Sequence, residues 1–250
     1  MIGVILAAGM AKRLRPLTDA CPKCLLKIGE RTLLQRTVDA MIAAGINELV
    51  VVTGYRGEMI RDFLTEKYLS PLTSHPSPLE IHFIHNADYE HNNNIFSLWM
   101  TRPYTEGKDF LLSDSDILFD PALIRAVLAA EGNALALNRH ECGEEEIKVI
   151  VDSENRILEL SKVCSIEKAI GESVGFEKMT ATYSTALFKE LEQMIEREGL
   201  IDVFYERAFE RLIPQGHTFR IVDTTQFFSI ELDTPEDFEN AKQLIPAELY

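Results

Sequence analysis

The sequence predicts an α/β protein built on a mixed, mostly parallel sheet flanked by helices, with a small antiparallel insert. Three observations carry this. Apolar runs of strand length alternate with helix-period segments through the first half of the chain, as βαβ units require. From about residue 139 to 183 that rhythm gives way to short strands joined by a tight turn, and after residue 184 the helices return. The chain therefore reads as a single domain over 1–250, with a core of 1–138 and 184–250 and an insert at 139–183.

In order, IGVIL (2–6) reads as a buried strand and RTLLQRTVDAMIAAG (31–45) as an amphipathic helix stopped by Gly45. ELVVVTG (48–54) follows as a strand and EMIRDFLTEKY (58–68) as a helix. SPLTSHPSP (70–78) holds three of the ten prolines, which makes it a loop. LEIHFIH (79–85) is a strand, NADYEHNNN (86–94) a polar loop, and IFSLWM (95–100) the start of a helix with Asn94 as its N-cap. DFLLSDSDILF (109–119) reads as one strand running into carboxylates, and PALIRAVLAAEG (121–132) as a helix with Pro121 in its first turn. In the insert, IKVIVDSENRILEL (147–160) gives two strands joined at DSEN, and ESVGFEKM (172–179) lies beside the parallel sheet. STALFKELEQMIEREG (184–199) and DVFYERAFERLI (202–213) are helices; HTFRIVD (217–223) and FFSIEL (227–232) are strands. TPEDFENAKQLI (234–245) closes the fold as a helix with Thr234 as N-cap, Pro235 at N1 and Asp237 at N3, the aspartate form of a capping box.

The chain carries 25 Lys and Arg against 40 Asp and Glu, a formal charge of −15. A binder of duplex nucleic acid or of an anionic membrane needs the opposite balance, so neither is an expected partner. No run approaches the ~20 apolar residues of a membrane span. MIGVILAAGMA lacks the basic flank of a signal peptide, and a cytoplasmic protein is expected. Residues 1–36 reverse the acidic trend: Lys12, Arg13, Arg15, Lys23, Lys27, Arg31 and Arg36 face only Asp19 and Glu30. That excess marks either a site for a small anion or a solvated basic loop. Cys21 and Cys24 have C-x-x-C spacing, but no second pair or nearby histidine completes a zinc site, and they read as incidental loop cysteines.

At LAAGMAKR (6–13) a strand delivers small residues to a turn, where backbone amides can approach a phosphate without interference from Cβ atoms. It is not a P-loop, and the dinucleotide fingerprint G-x-G-x-x-G breaks at Ala11. The longer pattern is more specific: LAAG, an arginine four residues after the glycine, then PLT, PK, LL and Gly29. It resembles the signature of nucleotidyltransferases that join a nucleoside triphosphate to a phosphorylated sugar or alcohol, and the resemblance extends over nearly the whole chain. What it implies is a Rossmann-like fold, a loop of Leu6, Ala7, Ala8 and Gly9 wrapped around the triphosphate, and Arg13 and Lys23 as the catalytic, phosphate-contacting cations. Such cations offset the repulsion between two anions that must meet when a phosphate oxygen attacks the α-phosphorus. Ala11 stands where that family usually has a second glycine; a positive φ there would strain an alanine.

LLSDSDILFD and SIELDTPEDF each bring two carboxylates, Asp114 with Asp116 and Glu231 with Asp233, to a strand end, where α/β sheets bind ligands. Residues two apart on a strand share a face, so each pair is expected to point one way. Hard carboxylate oxygens beside nucleotide phosphates make a magnesium site, with helix capping and turn formation as the alternative use of such acids. The resemblance implies Asp116 and Asp233 as metal ligands, Asp114 and Glu231 as support or as ligands of a second ion, and Mg²⁺ as the cofactor.

NNNIFSL, EEIKV, LSK and GESVGF resemble the branch that makes CDP-linked compounds from phosphocholine-like substrates. That implies Asn93, Ser97 and Asp114 at the nucleotide and Lys148, Lys162 and Glu172 at the acceptor. In VVTGY, Gly54 and Tyr55 follow a strand and resemble a stretch that the family uses near the base, with a plain strand-end turn as the alternative. Tyr89, Phe96, Trp99, Tyr183 and Tyr205 offer faces for a cationic acceptor, although their spacing makes most of them core residues. The expected function is transfer of CMP from CTP to a small phosphate or phosphonate, with release of pyrophosphate. A sugar-1-phosphate transferase using UTP, dTTP or GTP and a non-catalytic nucleotide-binding subunit are the alternatives, and a homodimer is left open.

Overall fold

The computed structural model describes residues 1–70, 79–144 and 146–249, so the loop expected at 70–78 lies, but for its first residue, outside the described residues. β1 (Ile2–Ala7) is buried throughout. Ile2, Val4 and Leu6 enter one core and Ile5 and Ala7 the other, as a central strand covered on both faces requires. After a hairpin of β2 (Lys27–Ile28) and β3 (Arg31–Thr32), Thr32 caps α1 (Leu33–Ala43), its hydroxyl accepting from the Gln35 amide at 3.0 Å. β4 (Glu48–Thr53), α2 (Gly57–Leu64), β5 (Glu80–His85), α3 (Asn94–Met100), α4 (Arg102–Thr105) and β6 (Phe110–Asp114) follow. They give a parallel run in the order β6-β1-β4-β5. The cap of α3 is Asn93 rather than Asn94: its side chain accepts from the Asn94 amide, while the Asn94 side chain accepts from the Tyr205 amide at 2.9 Å.

The strand expected over 109–119 is two strands. β6 ends at Asp114, Ser115 and Asp116 turn the chain, and β7 (Ile117–Phe119) leaves the main sheet. A strand buried on both faces cannot continue through S-D-S-D without burying charge. Next come α5 (Ala122–Ala129), β8 (Ala134–Asn138), β9 (Lys148–Val151), β10 (Ile157–Ser161) and the long β11 (Gly171–Met179). β11 runs antiparallel to β6, β8 and β9 at different points of its length, and so joins the strands of 139–183 to the parallel run. α6 (Ala181–Glu192) starts earlier than expected because Thr180 caps it, and α7 (Glu206–Leu212) starts later. β12 (Arg220–Asp223) lies parallel to β8 and completes a nine-stranded sheet. β13 (Ser229–Glu231) pairs antiparallel with β7, and α8 (Pro235–Leu244) carries the expected capping box of Thr234 and Asp237.

A third, smaller apolar cluster positions the site. Leu14 from the first loop, Ile28, Leu33, Leu118 of β7, Leu232 and Phe238 of α8 pack together, all but Phe238 fully buried. Burying such side chains stabilises by about 1.5–3 kcal/mol each. The cluster holds the amino-terminal loop against two segments more than a hundred residues away. Among the described residues, no helix is long and apolar enough to cross a membrane.

Candidate active site

The first loop leaves β1 through Ala8, Gly9 and Met10 and makes a short 3-10 turn, Lys12–Leu14. Ala11 sits in the left-handed region with φ 47 and ψ 54, so this is a position that favours glycine. An alanine there carries strain of about 1–2 kcal/mol. Ala11→Gly relieves it and gives back part through a freer unfolded chain. The expected net gain in unfolding free energy is about 0.5–1 kcal/mol by chemical denaturation; a lower midpoint would mean that the methyl packs favourably.

Pro22 starts a second 3-10 turn, Lys23–Leu25, which buries Lys23 to 8% exposure. Its ammonium donates to Asp233 at 2.8 Å and to Asp116 at 3.0 Å. Burial works against the charge on Lys23, but Asp116 and Asp233 outweigh it and hold the pKa above the usual lysine value. Arg13 also donates to Asp233. The β7–β13 ladder explains why the acids meet: Glu231 is in register with Ile117, and the Leu232 amide donates to the Asp116 carbonyl at 3.1 Å. Asp233 is fixed one step further on by the α8 cap, where Asp237 accepts from its amide at 3.2 Å.

One carboxylate oxygen from each of Asp116, Glu231 and Asp233 lies within 4.8 Å of the others, an all-oxygen donor set that fits a hard divalent cation. Burial pushes Asp233 up, but Lys23 and Arg13 hold it below the ordinary aspartate range. Glu231 is open to the cleft, yet the surrounding walls, together with Asp116 and Asp233, push its carboxyl up to about 7.

Asp114 is the last residue of β6 and Asp116 stands in the turn beyond it; both line the cleft. The Asp114 Oδ2 accepts from the Tyr205 hydroxyl at 3.0 Å. Burial first, then Asp116, Glu177, Glu206 and Glu231, drive its pKa well above the aspartate range. It lines the same cleft without joining the metal-competent trio.

These groups open onto one cleft of about 940 Å³, large enough for a nucleotide with a small second substrate. Leu6, Ala7, Ala8, Gly9, Arg13, Lys23, Asn93, Ser97, Asp114, Asp116, Lys162, Glu172, Glu231 and Asp233 all line it. Two expected contacts do not. Lys148 is 1% exposed and its ammonium donates to the carbonyls of Gly143, Glu144 and Glu146 at 3.1, 3.1 and 3.3 Å, so it pins the loop that carries Glu146. Gly54 lies behind the wall: a Cβ there would meet the Ala8 carbonyl at 2.6 Å, and the Tyr55 amide donates to that carbonyl at 2.9 Å. Glu172 pairs with His140 at 3.1 Å, and Lys162 stands 4.9 Å from the Phe204 ring. Cys24, Cys142 and Cys164 are buried and Cys21 half-buried; none is in a disulfide, and burial raises all four thiols.

A family model described as the MobA-like NTP transferase domain matches residues 3–212. The chain belongs to this family. As a MobA-like NTP transferase it is 24% identical over 257 residues to CTP:phosphoglutamine cytidylyltransferase of Campylobacter jejuni, covering 97% of the chain and 91% of that relative. It is 25% identical over 250 residues to CMP-5'-(3-aminopropyl)phosphonate synthase of Streptomyces rubellomurinus; that alignment covers 95% of the chain but only 38% of the larger relative. The fold is that of the CTP:phosphocholine cytidylyltransferase from Streptococcus pneumoniae, with a TM-score of 0.77 over 98% of this chain and 99% of that one at 17% identity.

Several residues of this MobA-like cleft escape sequence reasoning. Phe204 and Glu206 line it without belonging to any recognisable spacing, and Glu146 lines it from within EEIKV, the stretch read for Lys148. Asn86 does too; it donates to Asn92 at 2.8 Å and to the Ser97 hydroxyl at 3.2 Å, an amide pair that a polar loop does not advertise. Of the five aromatics named as cation faces, Tyr89 alone lines the cleft; Tyr183 and Tyr205 are buried in the core, and Phe96 and Trp99 pack against it.

Proposed function

We propose that this nucleotidyltransferase is a magnesium-dependent cytidylyltransferase acting on a small phosphate or phosphonate. The observation that carries the reading is Lys23, whose ammonium bridges Asp116 and Asp233 beside the phosphate-competent loop. A phosphate reader and a metal-competent acid pair thus converge on one point of the cleft. The cytidylyltransferase relatives favour CTP as the donor.

In this reading the loop amides and Arg13 hold the triphosphate, and Lys23 holds charge at the α-phosphoryl group. An oxygen of the acceptor phosphate attacks the α-phosphorus; the new P–O bond forms as the bond to the bridging oxygen of the β-phosphate breaks, and that electron pair leaves on pyrophosphate. The acceptor dianion is already nucleophilic, so no protein base is needed and no proton moves. Asp116, Glu231 and Asp233 would hold Mg²⁺, which neutralises charge on the reacting phosphates.

The test is a pyrophosphate-release matrix of CTP, UTP, dTTP and GTP against phosphocholine, 2-aminoethylphosphonate and sugar-1-phosphates, with and without Mg²⁺. Release is expected with CTP, a small acceptor and Mg²⁺ together. Turnover confined to a sugar-1-phosphate with another nucleotide, or nucleotide binding without any turnover, would overturn the reading.

A further inference from the structure

Three glutamates, Glu146, Glu172 and Glu206, line the cleft together with Lys162, while Lys148 is turned onto the carbonyls of Gly143, Glu144 and Glu146. Acidity alone identifies nothing, but Glu206 adds a second fact. It is 7% exposed and lines the cleft, yet among the described residues its Oε2 has no hydrogen-bond partner. Glu146 Oε2, in the same cleft, is likewise without one among the described residues. A buried carboxylate oxygen without a donor is an exception that calls for one.

The position of Glu206 is built rather than incidental. The preceding amide, that of Tyr205, donates to Asn94 at the start of α3, and the Tyr205 hydroxyl is tied to Asp114. Glu206 itself opens α7. Through Tyr205 it is therefore anchored to both the asparagine-rich segment and the end of β6, and it lines the cleft that holds Arg13, Lys23 and the acid trio.

We propose that Glu206 is a specificity-determining residue that accepts a hydrogen bond from a primary ammonium group on the acceptor. This rests on the cytidylyltransferase function proposed above and narrows its acceptor. An unpartnered carboxylate oxygen is matched by a hydrogen-bond donor, best a charged one, which a primary ammonium offers and a trimethylammonium lacks. Quaternary ammonium groups are held instead by several aromatic faces. Among the described residues, only Tyr89 and Phe204 supply aromatic rings to the cleft, and Lys162 already stands over Phe204. A neutral alkyl group would leave the carboxylate buried and unsatisfied.

Three acceptors separate the possibilities: 2-aminoethylphosphonate, n-propylphosphonate as its neutral counterpart of equal size, and the bulkier N,N,N-trimethyl derivative, each assayed for pyrophosphate release with CTP and Mg²⁺. Wild-type kcat/KM is expected to favour the primary amine by about 100-fold over n-propylphosphonate and about tenfold over the trimethyl compound. Glu206→Gln should lower kcat/KM for the amine by about 100-fold and for n-propylphosphonate by less than about threefold, which erases the preference. An undiminished thermal shift on adding CTP shows that the variant is folded. Equal use of the amine and n-propylphosphonate by the wild type, a preference for the trimethyl compound, or a preference that survives Glu206→Gln overturns the role of Glu206 and leaves the cytidylyltransferase reading intact. No release with any acceptor under these conditions removes that reading, and the role of Glu206 with it.

Discussion

Lys23→Met is expected to lower kcat/KM for pyrophosphate release by about 10³-fold or more, while the protein stays folded. Methionine keeps the length and apolar character of the lysine stem, which is buried to within 8% of its surface. What disappears is a charge fixed 2.8 Å from Asp233 and 3.0 Å from Asp116, in a wall where desolvation strengthens it. A preorganised cation acts where negative charge grows in the transition state, so the loss should fall mainly on kcat at saturating CTP. Removing Lys23 also takes away the ammonium that Asp116 and Asp233 share, and a lower melting temperature that Mg²⁺ restores is the accompanying sign. A variant within tenfold of wild type would show that Lys23 is a structural ion-pair partner and no more.

Much of this centre was legible in the sequence, for reasons that differ residue by residue. The βαβ rhythm and the buried β1 follow from hydrophobic period, which depends on local pattern alone. Thr234-Pro235-Glu236-Asp237 announces its own helix start, and the cap forms as read. The convergence of Arg13, Lys23, Asp116 and Asp233 comes from a motif resemblance, because no local rule ties position 23 to position 233. The structure supplies the physical link, the apolar cluster of Leu14, Leu118, Leu232 and Phe238 and the β7–β13 ladder. The argument that put Asp114 and Asp116 on one face assumes an unbroken strand; β6 stops at Asp114, and both acids line the cleft, Asp116 within the metal-competent trio and Asp114 outside it. Lys148 was misplaced for a similar reason: a lysine in a strand gives no sign of whether its ammonium reaches a cleft or folds back onto three carbonyls of its own loop. Glu206 was invisible because one acid in a charged helix looks solvated until the fold buries it.

The second large effect concerns the acids. Asp233→Asn keeps the shape of the side chain but removes a charge from a trio whose oxygens lie within 4.8 Å, and an amide oxygen is a poor substitute as a ligand for a hard dication. Turnover is expected to fall by about 10³-fold, equivalent to roughly 4 kcal/mol of transition-state stabilisation. Arg13 and Lys23 lose a partner in the same substitution, so turnover alone does not separate metal from ion-pair effects. Direct metal binding does. Mn²⁺ titrated into the CTP-saturated protein, with free ion read by electron paramagnetic resonance, should bind wild type as a defined site and bind Asp233→Asn at least about tenfold more weakly. Equal Mn²⁺ affinity in the two proteins would contradict a metal site shared by Asp116, Glu231 and Asp233 at the nucleotide.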